Sequence, residues 1–373
     1  MYIPHLTSRA LTVRVLQYAL YSPTMTYPHT DKKTLARWEK IGSAITQAQE
    51  DEEFMKTPEK DRDSLFPLRY PKLWAYRKKL EKVHWVSEEV SLSKDREDLK
   101  RITKEELALL EYVLAFFSIA DELILAGIDE VVEGFVQVKE GKYYLRAQSD
   151  QECVHSESYS LQIQEIIPDS KRRGEIFNAV KNFPAVGRMV DWVRFWCTKR
   201  HRMADVFTAM AFIEGAMFQS FFAAIQFFKT KNLFPGVTTL NELISRDEGV
   251  HASFWCSIVR KFLKHKPGTN TVKAIARETA LLGEQFFAEA MKLPLVGLNA
   301  KMLAEYAQHT ADHITGALGY EPTFGVKNPL NYMEAHALNK VSKTNFFEHD
   351  VTQYQSLGKE SLVFRLNTSP IRF

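Results

Sequence analysis

Apolar residues recur at helical spacing along most of the chain, and no stretch keeps the alternation of a half-buried strand. PKLWAYRKKLEKVHW (71–85) reads as a short helix opened by Pro71, because a first-turn proline sacrifices no helical hydrogen bond. Thr103 and Glu106 form a T-x-x-E capping box, and a long apolar-periodic helix follows to about residue 128. Residues 138–143, with Gly141, break the pattern, and the next helix spans about 146–166. Pro168-Asp169-Ser170 ends it and caps a short helix; PAVGRMVDWVRFWC predicts another, and 203–229 a very apolar one. Leu233-Phe234-Pro235-Gly236 reads as a turn, after which Thr238-Thr239 leads into a helix to about 263. Two further helices are expected at 270–292 and 299–318. No repeat of 20–50 residues is visible. The expectation is an all-α protein.

The pattern also divides the chain. Residues 1–64 are heterogeneous, ending in the polar QEDEEFMKTPEKDRDS, and read as an N-terminal extension and linker. Residues 65–344 read as one helical domain, and 345–373 as an irregular C-terminal tail. Residues 1–30 carry no Asp or Glu, which organelle-targeting segments share, but an ordinary extension is the reading taken.

Composition narrows the class. The 373 residues are 45% hydrophobic with only 16 Gly and 14 Pro, enough apolar material for a large helical core. The 49 basic and 46 acidic residues give a net charge of +3, which leaves no footprint for nucleic acid or an anionic membrane. Cys153, Cys197 and Cys256 form no CxxC; they read as small buried side chains, reduced in a cytoplasmic compartment. Between Asp205 and Lys229 the only charge is Glu214. Length alone would let that run cross a membrane, but the mid-span acid favours a buried core helix.

The chemistry begins at QECVHSESYS. Glu152, His155 and Tyr159 are spaced three and four apart, which puts them on one helix face. A second Glu-x-x-His, Glu248 to His251, follows in ISRDEGVH. A lone acid on an apolar helix precedes each pair: Asp121 before Glu152, and Glu214 before Glu248. This echo suggests two similar helix pairs. Two Glu-x-x-His helices plus one acid from each of two others form the ligand set of ferritin-like dimetal-carboxylate bundles. Here the set is Asp121, Glu152, His155, Glu214, Glu248 and His251. Its carboxylate oxygens and imidazole nitrogens suit iron or manganese, and can suit zinc. A third match, Glu81 to His84, lies among Lys78, Lys79 and Lys82 and reads as a solvated face. Tyr159 lies one helical turn beyond His155, roughly 6 Å along the axis. Asp247 is a candidate acceptor for the second N–H of His155.

The segments FFSIAD ending in Asp121, QECVHSESY, AFIEG and NELISRDEGVH resemble, in order, the ligand motifs of the small subunit (R2) of class I ribonucleotide reductase. The resemblance covers about residues 65–355. It implies two iron ions per chain, with manganese as an alternative, that react with O2 and oxidise Tyr159 to a tyrosyl radical. It implies that Trp85, with His155 and Asp247, relays the oxidising equivalent, with Arg246 beside the relay. Tyr354 would pass the radical to a large subunit, where ribonucleotides are reduced. It further implies a homodimer whose C-terminal tail docks on that subunit. Two features depart from the family: the run Glu122–Gly127 after the first ligand, and a basic tail that keeps Phe364, Leu366 and Phe373. The competing reading is a ferritin-type di-iron oxidase without radical export, in which Trp85, Asp247 and Tyr354 would be dispensable.

Overall fold

The computed structural model describes residues 26–197 and 201–333. Among them there is no strand; a single isolated bridge joins Leu295 and Leu298. The N-terminal part contributes two short helices, α1 (Lys32–Trp38) and α2 (Gln47–Asp51). The helices that build the body are α3 (Pro71–Lys82), α4 (Lys104–Gly127), α5 (Lys139–Ile166), α6 (Pro184–Trp196), α7 (Met203–Thr230), α8 (Pro235–Ser257), α9 (Thr269–Ala290) and α10 (Ala300–Ala317).

Four of these make the central bundle. Helix α4 packs on α5 and α7 on α8, and the two pairs meet through α4–α7 and α5–α8 contacts. Those pairs are the ones that the repeated acid-then-Glu-x-x-His order suggests. Helix α3 lies across α5 and α8, and α9 and α10 pack together against α7. Helix α7 is the one long and apolar enough to cross a membrane among the described residues, and its most apolar window is wholly buried among its neighbours. It is the hydrophobic centre of the bundle, with Phe207, Phe212, Phe218 and Phe221 inaccessible to solvent.

Local chemistry explains where helices start. The Thr103 capping box forms as expected: its hydroxyl accepts from Glu106 N–H, and the Glu106 carboxylate accepts from Thr103 N–H. Two boundaries differ from the pattern. Helix α5 starts at Lys139, with Gly141 inside its first turn. A Cβ on Gly141 would come 2.6 Å from Val136 Cγ1, so the glycine permits close packing rather than breaking the helix. Helix α8 starts at Pro235, immediately after Phe234 in a left-handed conformation (φ 51°). The acid caps come from elsewhere in the sequence: Asp98 accepts from Phe234 N–H, and Asp95 accepts from Gly236 and Val237 N–H.

Residues 26–64, expected to be an extension and linker, are packed onto the bundle. Trp38 and Met55 are fully buried. Acids of the body hold this segment: Asp191 accepts from His29 N–H and the Thr30 hydroxyl, Asp205 from Ser43, and Glu278 from Arg37 and the Trp38 indole. The polar stretch 49–64 docks as well: Glu50 accepts from Met203 N–H, Glu53 from Lys264 and His265 N–H, and Arg62 donates to Glu140.

Candidate metal centre

Each of the six acid and imidazole side chains singled out by spacing sits on a bundle helix and faces its interior. Asp121 comes from α4, Glu152 and His155 from α5, Glu214 from α7, and Glu248 and His251 from α8. Asp121 is 1% exposed and the other five are at 0%. They form two overlapping groups, Asp121–Glu152–His155 and Glu152–Glu214–Glu248–His251, whose donor atoms lie within 4.8 Å of one another.

Two carboxylates reach toward both imidazoles. Glu152 sets Oε2 3.6 Å from His155 Nδ1 and Oε1 3.2 Å from His251 Nδ1. Glu248 sets Oε1 3.0 Å from His155 Nδ1 and Oε2 3.3 Å from His251 Nδ1. Glu214 Oε2 lies 3.5 Å from His251 Nδ1. Both imidazoles therefore turn Nδ1 inward. Glu214 lies in a π turn of α7 (Ile213–Met217), a local widening of the helix frequent at functional sites.

Burial without solvation dominates the electrostatics. Loss of water pushes the Asp121 carboxyl well above its ordinary range, reinforced by Glu152, and does the same to Glu214 despite the opposing pull of His251. Burial also pushes Glu152 up, but His251 and His155 outweigh it and hold this carboxyl at about 2. Burial works against protonating His155 and His251, yet the surrounding carboxylates raise both well above the usual histidine range. Both Asp121 oxygens, Glu152 Oε2, Glu214 Oε2 and Glu248 Oε1 are buried without a hydrogen bond. Oxygen-rich, partly orphaned and furnished with two inward nitrogens, the donor set fits a pair of divalent ions.

The neighbours fall into three sets. Tyr159 is fully buried, its hydroxyl unpartnered, its ring stacked on Phe117 at 4.6 Å between centroids with 1° between planes. Burial raises its phenol well above the ordinary tyrosine value, with Asp121, Glu248 and Glu152 adding to it. At the outer nitrogen of His155, Nε2 lies 3.4 Å from Asp247 Oδ2, which also accepts from the Trp85 indole at 2.7 Å. Trp85 stacks on the His155 ring at 6.1 Å between centroids and 24°. Arg246 donates to Asp247 Oδ1 at 3.2 Å and to the Val83 carbonyl at 2.7 Å. Asp247 is itself fully buried. The third set was missed by sequence reasoning. Gln148 and the Trp255 indole donate to Glu214 Oε1 at 2.9 and 3.2 Å, and Gln151 Oε1 faces His251 Nε2 at 2.9 Å. The available signal was helical: Gln148 is four before Glu152, and Trp255 four after His251.

Glu81 is exposed and paired with Arg77 and Lys78, so the third Glu-x-x-His is a solvated face. Glu122 accepts from the Ser156 hydroxyl at 2.7 Å. Cys197 and Cys256 are buried, but Cys153 is exposed, because the residue after Glu152 turns about 100° away from the centre. Tyr354 and the tail 345–373 lie outside the described residues.

Comparison with known proteins agrees with this geometry. The family model described as ribonucleotide reductase, small chain, matches residues 62–329. The ribonucleoside-diphosphate reductase small chain of African swine fever virus is 35% identical over 310 residues, covering 82% of this protein and 95% of the viral one. The small chain of the same enzyme from Plasmodium falciparum is 35% identical over 337 residues, covering 89% and 96%. The ribonucleotide reductase Rnr4 homodimer of Saccharomyces cerevisiae superposes with a TM-score of 0.70 at 25% identity, covering 87% of this protein and 98% of that one. A ferritin-like bundle, a buried carboxylate–histidine cluster and matches over most of its length together place this protein in the ribonucleotide reductase small-chain family.

Proposed function

We propose that this small chain generates a tyrosyl radical and exports it to a large subunit. Asp121, Glu152, His155, Glu214, Glu248 and His251 hold two metal ions per chain, iron with manganese as the alternative. Bound there, the ions would supply, with O2, an oxidant strong enough to act on a phenol. Tyr159 gives up one electron and its hydroxyl proton. Its burial and its stacking on Phe117 keep the radical from water and reductants.

The protein's own groups then define the way out. Asp247 holds the Trp85 indole N–H and His155 Nε2 on the same oxygen, so an electron and a proton have one short, buried route between surface side and centre. Arg246 fixes that carboxylate. Tyr354 and the tail complete the transfer, and the protein works as a cytoplasmic homodimer. The observation that carries the reading is the orphaned Tyr159 hydroxyl, sealed in the field of Asp121, Glu248 and Glu152.

The relay separates this reading from a plain oxidase. Trp85→Phe keeps an aromatic ring and removes the donor to Asp247. The variant is expected to bind the same two metals per chain and form the Tyr159 radical, yet lose ribonucleoside-diphosphate reduction with the large subunit by roughly a hundredfold or more, the scale on which a lost positioning contact slows a reaction. Full turnover in Trp85→Phe would remove the export step from the account.

A further inference from the structure

The two inward imidazoles are backed by different chemistry. His155 presents Nε2 to the Asp247 carboxylate, whereas His251 presents Nε2 to the neutral carboxamide of Gln151. Gln151 is 4% exposed, immediately precedes Glu152 on α5, and has no hydrogen bond at its own amide nitrogen. No other protein group accepts from His251 Nε2 among the hydrogen bonds of the described residues.

A neutral imidazole carries its proton on one nitrogen and offers a lone pair on the other. Gln151 Oε1 only accepts, so a 2.9 Å contact requires the proton on Nε2. The lone pair is then on Nδ1, which faces Glu152, Glu214 and Glu248 at 3.2, 3.5 and 3.3 Å. The reverse amide orientation would place an N–H against Nε2, drive the proton to Nδ1 and leave nothing to bind a cation.

We propose that Gln151 is the positioning residue for His251: it fixes the ring orientation and the ligating tautomer, and so controls one of the two metal positions selectively. This rests on the dimetal reading above. The other position, with Asp121 and His155, is served by Asp247 and is independent of Gln151. Because Gln151 adds no charge, its role is that of an acceptor and not of a counter-ion. Partners of this kind usually contribute about ten- to a hundredfold in metal affinity.

The test is a titration of the metal-free full-length chain with Mn(II), following free Mn(II) by electron paramagnetic resonance. Wild type is expected to take up two ions per chain. Gln151→Leu keeps the side-chain volume and removes the acceptor; it should weaken one of the two ions about ten- to a hundredfold and leave the other unchanged. Gln151→Glu restores an acceptor and should retain both, with circular dichroism confirming the helical fold of each variant. Unchanged binding in Gln151→Leu, equal weakening of both ions, or loss of an ion in Gln151→Glu would each overturn the proposal while leaving the dimetal reading standing. A wild type that binds no Mn(II) or Fe(II) would overturn the dimetal reading itself, and this inference with it.

Discussion

At Glu214 the protein buries a carboxylate inside its most apolar helix, with two hydrogen bonds to Oε1 and none to Oε2. Burial raises that acid well above its ordinary value. An acid raised in this way contributes its full stability only below the unfolded value and loses it as pH rises. Glu214→Gln keeps an oxygen for Gln148 and Trp255 and removes the ionisable group. Its metal-free form is expected to gain about 1–3 kcal/mol near neutral pH, read as a higher urea midpoint, while metal content falls. The raised histidines add a second dependence. Neighbouring carboxylates raise His155 and His251 above the usual histidine range, and a cation binds only the neutral imidazole, so Mn(II) affinity should rise with pH. The charged members of the site were legible because ionisable groups on apolar helices are costly and conspicuous. Gln148, Gln151 and Trp255 were not, since amides and an indole do not disturb a hydrophobic pattern. Cys153 was misread for the converse reason: its neighbours in sequence are not its neighbours on the helix face.

Among the elements, the helices of the body followed from the 3.6-residue period, and the pairing of α4 with α5 and of α7 with α8 from the lone acid that precedes each Glu-x-x-His. What the period could not convey was how helices meet other segments. The first turn of α8 depends on Asp95, 141 residues before Gly236, and no local cap announces it. Gly236 is required there because a Cβ would lie 2.6 Å from the Ser91 carbonyl oxygen. Asp95→Ala is expected to cost about 1–2 kcal/mol in urea unfolding, as for other lost helix caps, and to leave metal stoichiometry intact. The π turn that carries Glu214 was equally invisible, because one inserted residue leaves the composition of an apolar run unchanged.

For the whole molecule, the ferritin-like bundle and its family follow from motifs spread over α4 to α8. The N-terminal segment shows the limit of such reasoning. Its polar end reads as linker, yet Glu50, Glu53 and Arg62 there bind groups of the body. The large subunit is expected to be reached through residues 345–373, which keep Phe364, Leu366 and Phe373. Removing 345–373 should leave metal binding and the Tyr159 radical untouched and abolish both co-sedimentation with the large subunit and nucleotide reduction. The proposed oxidation of Tyr159 by metal ions held in the buried cluster is the most local step. It is tested by adding Fe(II) and O2 to the metal-free full-length chain and recording the electron paramagnetic resonance spectrum with iron quantified in the same sample. Two irons per chain and a tyrosyl signal that disappears in Tyr159→Phe is the predicted result. Two bound irons with no radical in the wild type, or the same signal persisting in Tyr159→Phe, would contradict it.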